Sequence, residues 1–163
     1  MHPREIAAIR SYLKPEDRLL EFGCGGSTAY FAPLVRELVS IEHDALWAQK
    51  VTLPPNAIVY VVVPDIAVTH PNCASPGEYA SYTQFPLSLH EVFDAVLIDG
   101  RNRVQCAIEC AEILAPGGWL FFHDFFRRQR YVERLEELSK LYLLAESIDD
   151  TSQTLAVFRR RVD

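Results

Sequence analysis

Two hydrophobic rhythms alternate along the chain. Five short runs are apolar almost throughout: 18–22 in "RLLEF", 37–42 in "ELVSIE", 57–63 in "AIVYVVV", 92–100 in "VFDAVLIDG" and 119–124 in "WLFFHD". Runs of this length, rich in β-branched and aromatic residues, predict strands covered on both faces. Between them lie segments with helical spacing, at about 3–13, 27–36, 45–51, 102–114 and 127–140. The third stops before Pro54 and Pro55, and "APGG" at 115–118 reads as the stop of the fourth. "YLLAESIDD" and "QTLAVFRRR" follow one another across a polar turn at Asp149–Ser152. With no helix between them, these two must be antiparallel neighbours. The alternation therefore predicts an α/β domain, a mostly parallel sheet with helices on both faces. One stretch breaks the rhythm. Residues 64–91 hold four prolines and only "PLSLHEV" looks briefly helical, so a long loop covering part of a site is expected.

Composition narrows the class. The 163 residues show no internal repeat or linker, which predicts a single domain over 1–163. A net charge of −6 argues against a nucleic-acid partner, whose binders carry basic surfaces. No apolar run approaches the ~18 residues needed to span a bilayer, and the N-terminus lacks a secretory apolar stretch. No membrane contact and a cytoplasmic location are expected. Cys24, Cys73, Cys106 and Cys110 form no CxxC pair, and the last two read as small buried thiols one helical turn apart.

Chemistry gathers where the predicted strands end. The first runs into "EFGCGGST", with Gly23, Gly25 and Gly26 in four positions, and Ser27 or Thr28 placed to cap the next helix. Glycines there let backbone approach a ligand closely. The other ends supply Glu42 and His43, then Asp65, then Asp99, then His123 and Asp124. One acid at a strand end is an ordinary helix cap; five in succession favour a binding edge. A dinucleotide turn reads GxGxxG and cradles a pyrophosphate, whereas here Thr28 holds the third glycine position and Glu21 precedes the turn. Glu42, about 20 residues on, suits ribose hydroxyls. A cationic, ribose-containing ligand without phosphates fits best, and S-adenosylmethionine is one.

"LLEFGCGGS", "LVSIEHD", "VVVPDI", "VFDAVLIDG" and "LAPGGWLFFHD" together resemble the class I S-adenosylmethionine-dependent methyltransferases, over about residues 3–160. The resemblance implies a Rossmann-like sheet of seven strands in the order 3-2-1-4-5-7-6, the seventh antiparallel. By the same resemblance Glu21 faces the methionine ammonium through a hydrogen-bond network, and Gly23 and Gly25 admit the methionine part. Glu42 would hold the ribose, His43 lies beside the adenine, Asp65 and Ile66 contact its edge, and Asp99 sits under the sulfonium. It further implies methyl transfer to a small-molecule acceptor, with oxygen favoured because "DGRN" is not the Asn/Asp-Pro-Pro-Tyr segment of amino-methyltransferases. The alternative is a non-catalytic module of the same fold that binds the cofactor or a partner. Asp99, His123 and Asp124 are the candidate catalytic groups, His123 or Asp124 as general base. Arg101 and Arg103 suit an anionic acceptor, since guanidinium forks match carboxylates and phosphates. Asp99 and Asp124 offer two hard ligands to a divalent metal, which is not favoured because the two arginines can fill its role.

Overall fold

Four of the five apolar runs become strands with hydrogen-bonding neighbours on both sides, and the third pairs on one side only. The protein was analysed as a computed structural model, which describes residues 1–66, 76–150 and 153–162. β1 (Arg18–Phe22), β2 (Glu37–Glu42), β3 (Ala57–Val61), β4 (Phe93–Ile98), β5 (Leu114–His123), β6 (Tyr142–Asp150) and β7 (Gln153–Arg160) form one sheet. Its order is β3-β2-β1-β4-β5-β7-β6, with β7 antiparallel to both neighbours and the other pairings parallel. The period of two divides the core. Leu20, Phe22, Val96, Ile98, Leu120 and Phe122 pack on one face, against α5 (Arg103–Glu109) and the helices α6 (Gln129–Val132) and α7 (Leu135–Ser139). Leu19, Leu38, Leu97 and Phe121 pack on the other, against α1 (Pro3–Tyr12) and α2 (Gly26–Phe31). Cys106 and Cys110 are buried free thiols, while Cys73 lies outside the described residues.

Several expectations are corrected. β3 is not covered on both faces: it is the edge of the sheet, and Ile58, Val61 and Val63 are exposed. The helix expected over 27–36 gives way to a 3-10 turn at Ala32–Leu34, where Pro33 cannot continue it. The helix after β2 is a single turn, α3 (Ala45–Ala48), and the one expected over 127–140 is split into α6 and α7. β5 starts at Leu114 rather than 119, because "APGG" forms an irregularity within the strand and not a helix stop. The stretch 64–91 is not structureless. It turns helical at Pro76–Tyr79, continues through α4 (Ala80–Gln84) and ends in a 3-10 turn at Phe85–Leu89, while 67–75 lie outside the described residues. Tyr79 and Tyr82 are buried; Tyr82 packs edge-on to Phe22, with ring centroids 5.5 Å apart, which pins this segment to the sheet. Among the described residues, no helix is long and apolar enough to cross a membrane.

Candidate functional site

At the carboxyl ends of β1, β2 and β4 lies a cavity of about 740 Å³. Its floor is the turn 23–27, one wall is Glu42, His43, Asp44 and Trp47, and the opposite wall is Asp99 to Arg103, with Met1 and Ile6 of the N-terminal segment above. Two glycines make the floor possible. Gly23 has φ +94°, and a Cβ there would lie 3.0 Å from the Gly100 backbone. A Cβ on Gly100 would lie 2.1 Å from the Tyr82 hydroxyl oxygen, which packs into the space. The two strand-exit turns can therefore touch only as glycines.

Beneath the floor, Glu21 is fully buried on the Leu19 face of β1. It accepts hydrogen bonds from the Ser27 and Thr28 hydroxyls, and Thr28 Oγ1 in turn accepts from the Gly25 amide at 2.8 Å. Both hydroxyls thus serve the turn from inside the first turn of α2, which already begins at Gly26; neither is the residue that precedes the helix. Burial pushes the Glu21 carboxyl up to about 7 in spite of those hydrogen bonds. Glu21 holds the shape of the turn and does not line the cavity.

Glu42 lines it but is nearly enclosed, 3% exposed. Its Oε2 accepts from the Cys24 amide at 3.0 Å, and its Oε1 accepts from the His43 and Asp44 amides at 2.7 and 2.9 Å. Burial raises this carboxyl, but those bonds and the adjacent imidazole of His43 outweigh it and hold the group below its usual range. Asp44 caps α3 through the Leu46 and Trp47 amides, which stands the Trp47 ring beside the turn, its Nε1 donating to the Cys24 carbonyl at 2.8 Å. Asp65 is placed otherwise. Its carboxylate accepts from the Ser81 amide and hydroxyl, and neither it nor Ile66 lines the cavity.

On the far side, Asp99 faces the cavity while His123 and Asp124 sit behind it, largely buried. His123 Nδ1 is 2.7 Å from Asp99 Oδ1, and an Arg103 nitrogen is 3.0 Å from the same oxygen. Burial raises the Asp99 carboxyl, but the His123 bond and the Arg103 charge hold it below its usual range. Burial lowers the His123 imidazole, but the Asp99 bond, with the charges of Asp99, Asp124 and Glu5, raises it overall. Asp124 has φ 61°, a left-handed conformation that Asp tolerates in a strand-exit turn. Arg103 spends its guanidinium internally, donating to the carbonyls of Gly100, Asp99 and His123. Arg101 is half-buried in the cavity wall, its Nε 3.4 Å from His43 Nε2. Among the described residues, no group of three or more His, Cys, Asp or Glu is placed to hold a metal ion.

No protein-family model matches the chain, and no curated protein matches it. Solved structures do. A methyltransferase-like protein from Silicibacter pomeroyi is similar over 99% of this chain and 87% of its own, with 27% identity and a TM-score of 0.67. This likeness supports the resemblance to the class I S-adenosylmethionine-dependent methyltransferases read from the sequence. The N-methyltransferase NodS from Bradyrhizobium japonicum, solved with S-adenosyl-L-homocysteine, shares the fold at 17% identity and TM-score 0.61, over 96% of this chain and 85% of its own. A tRNA methyltransferase, TrmI from Aquifex aeolicus, shares it at 16% identity and TM-score 0.68, over 100% of this chain and 70% of its own.

Around this site, sequence reasoning missed Trp47 and Glu5. Trp47 stands in a one-turn helix whose spacing carries no periodic signal, and only the Asp44 cap two residues before Leu46 hints at it. Glu5 reads as a first-turn acid of an amphipathic helix, yet it is fully buried 3.5 Å from His123 Nε2.

Proposed function

We propose that the chain transfers the methyl group of S-adenosylmethionine to the oxygen of a small acceptor. One observation carries the reading: a single cavity joins the glycine turn to Asp99, so cofactor and acceptor can meet in one space. When bound, S-adenosylmethionine supplies a methyl group on a sulfonium, open to direct displacement. The residues present suit it. Gly25 and Gly26 leave the floor open, since a Cβ on Gly26 would meet nothing within 4 Å and one on Gly25 only the Trp47 ring. Glu42 Oε2 accepts a single amide bond and keeps a lone pair, which suits a ribose hydroxyl. The Trp47 and His43 rings line the cavity, which suits an adenine.

Asp99 is the group that touches the acceptor, and it accepts the proton as the acceptor oxygen gains the methyl. His123 and Arg103 hold it as an anion. A carboxylate held below its usual range is a weak base, so the best acceptor has a hydroxyl that is already acidic, such as a phenol. Arg101 is the arginine left to meet an anionic acceptor, because Arg103 is committed to the backbone.

The test is methyl transfer from labelled S-adenosylmethionine to separate panels of phenols, aliphatic alcohols, amines and structured RNA. Turnover with phenols that falls at least about 100-fold in Asp99→Asn supports the reading. Turnover confined to RNA or amines overturns the acceptor class, and cofactor binding without turnover on any panel favours the non-catalytic module.

A further inference from the structure

An acid at the third position of a helix ordinarily sits at the surface, closing the helix end while water solvates its free oxygen. Glu5 closes α1 in this way, its Oε2 accepting from the His2 amide at 2.6 Å. It is nevertheless fully buried. Its Oε2 lies 3.5 Å from His123 Nε2, while Oε1 and His123 Nε2 have no hydrogen-bond partner. A carboxylate this deeply enclosed needs a compensating charge. The other ring nitrogen of His123 already meets Asp99. The imidazole thus bridges a carboxylate on α1 and the one that lines the cavity.

The opposite end of α1 is fixed by different means. Tyr12 packs at a tilt against Trp119, 4.5 Å between centroids, and donates to Glu146 at 2.6 Å. Met1 and Ile6 of this segment line the cavity and pack on the apolar core, and the Glu5–His123 pair adds a charged tie from the first turn to the end of β5. We propose that Glu5 is a positioning residue for methyl transfer: through His123 it orients the Asp99 carboxylate and holds the first turn of α1 down as the roof of the cavity. This rests on the methyltransferase reading of the site. The charged groups facing His123 are Glu5 from α1, Asp99 from the end of β4, Asp124 just after β5 and Arg103 of α5, whose own nitrogen meets Asp99.

Glu5→Gln keeps the shape and the cap while removing the charge; Glu5→Ala removes both. Two readouts separate positioning from mere support of the fold. The first is the titration of the His123 ring, followed by NMR in the protein without ligand. The second is the affinity for S-adenosylhomocysteine, measured by calorimetry. In Glu5→Gln the His123 titration moves to lower pH, and S-adenosylhomocysteine binds about tenfold more weakly, the size of an ordinary coupling between adjoining sites. An unchanged titration with unchanged affinity in a folded Glu5→Gln protein overturns the proposal. If the unaltered protein fails to bind S-adenosylhomocysteine, the cofactor reading falls instead, and the Glu5 contact is judged by the titration alone: no shift refutes it. If Glu5→Ala does not fold, Glu5→Gln decides.

Discussion

At the β1–β2 end of the cavity the shape is set by backbone: a glycine turn, and a carboxylate, Glu42, held by three amides. At the β4–β5 end the same space is bounded by side-chain charge, with Asp99, Arg103, His123 and Glu5 within 2.7 to 3.5 Å of their partners. The first end gets its geometry from the close packing of Gly23 against Gly100, a contact that admits no extra atom. The second gets it from compensation among groups that arrive from four separate elements. An end made of packed backbone should fail abruptly when a side chain is added, whereas an end made of charges should fail by degrees and with pH.

The largest effect is expected from Gly100→Ala, whose Cβ would sit 2.1 Å from the hydroxyl oxygen of a fully buried Tyr82 and 3.0 Å from the Phe22 carbonyl carbon. Urea unfolding should show a loss of about 3 kcal/mol, the upper range for overpacking. Arg103→Ala comes next, since it strips donors from the carbonyls of Gly100, Asp99 and His123 and leaves Asp99 less neutralised. A loss of about 2 kcal/mol is expected, and Arg103→Lys should recover little because an ammonium cannot reproduce the fork.

The third prediction sharpens the comparison through pH. Glu21 holds its proton in the folded state up to about 7 but releases it near 4.5 when unfolded. Stability from this group is present below the unfolded value and declines as pH rises through the folded one, by up to about 1.4 kcal/mol per pH unit. Glu21→Gln should flatten that decline between pH 4.5 and 7. The raised imidazole of His123 acts with the same sign in a higher window, so His123→Asn should flatten only the portion above its ordinary 6.5. If one substitution flattened both windows, the two ends would not be separate. Smallest is Trp47→Ala, which should change stability by less than about 1 kcal/mol while weakening S-adenosylhomocysteine binding about tenfold, since the ring is half-exposed and walls the turn.

The same contrast explains what could be read from the sequence. The backbone-built end is local: "EFGCGGST" places Glu21, Gly23, Gly25 and Thr28 within eight residues, so the pattern announces the turn. Glu42 follows because a strand end is fixed by the apolar run before it. The charged end depends on side chains 118 positions apart, Glu5 and His123, whose meeting follows from strand order and from where α1 lies. Nothing in "HPREIAAIR" distinguishes a buried acid from a solvated one. Arg103 was legible as a cation at a strand exit but not as one consumed by three carbonyls. Asp65 was expected at the site, yet its carboxylate meets Ser81, across a segment whose helical content the prolines concealed. The covered strand expected at 57–63 became an edge, because covering depends on a neighbour the sequence does not name.

The central claim is that the glycine turn and Glu42 form a site for S-adenosylmethionine. Calorimetric titration of S-adenosylhomocysteine into the protein and into Glu42→Gln, with circular dichroism to confirm folding, tests it most directly. Micromolar binding, about −8 kcal/mol, that is weakened at least tenfold in the folded Glu42→Gln protein is the predicted result. A folded protein that binds neither S-adenosylhomocysteine nor S-adenosylmethionine at millimolar concentration would contradict it.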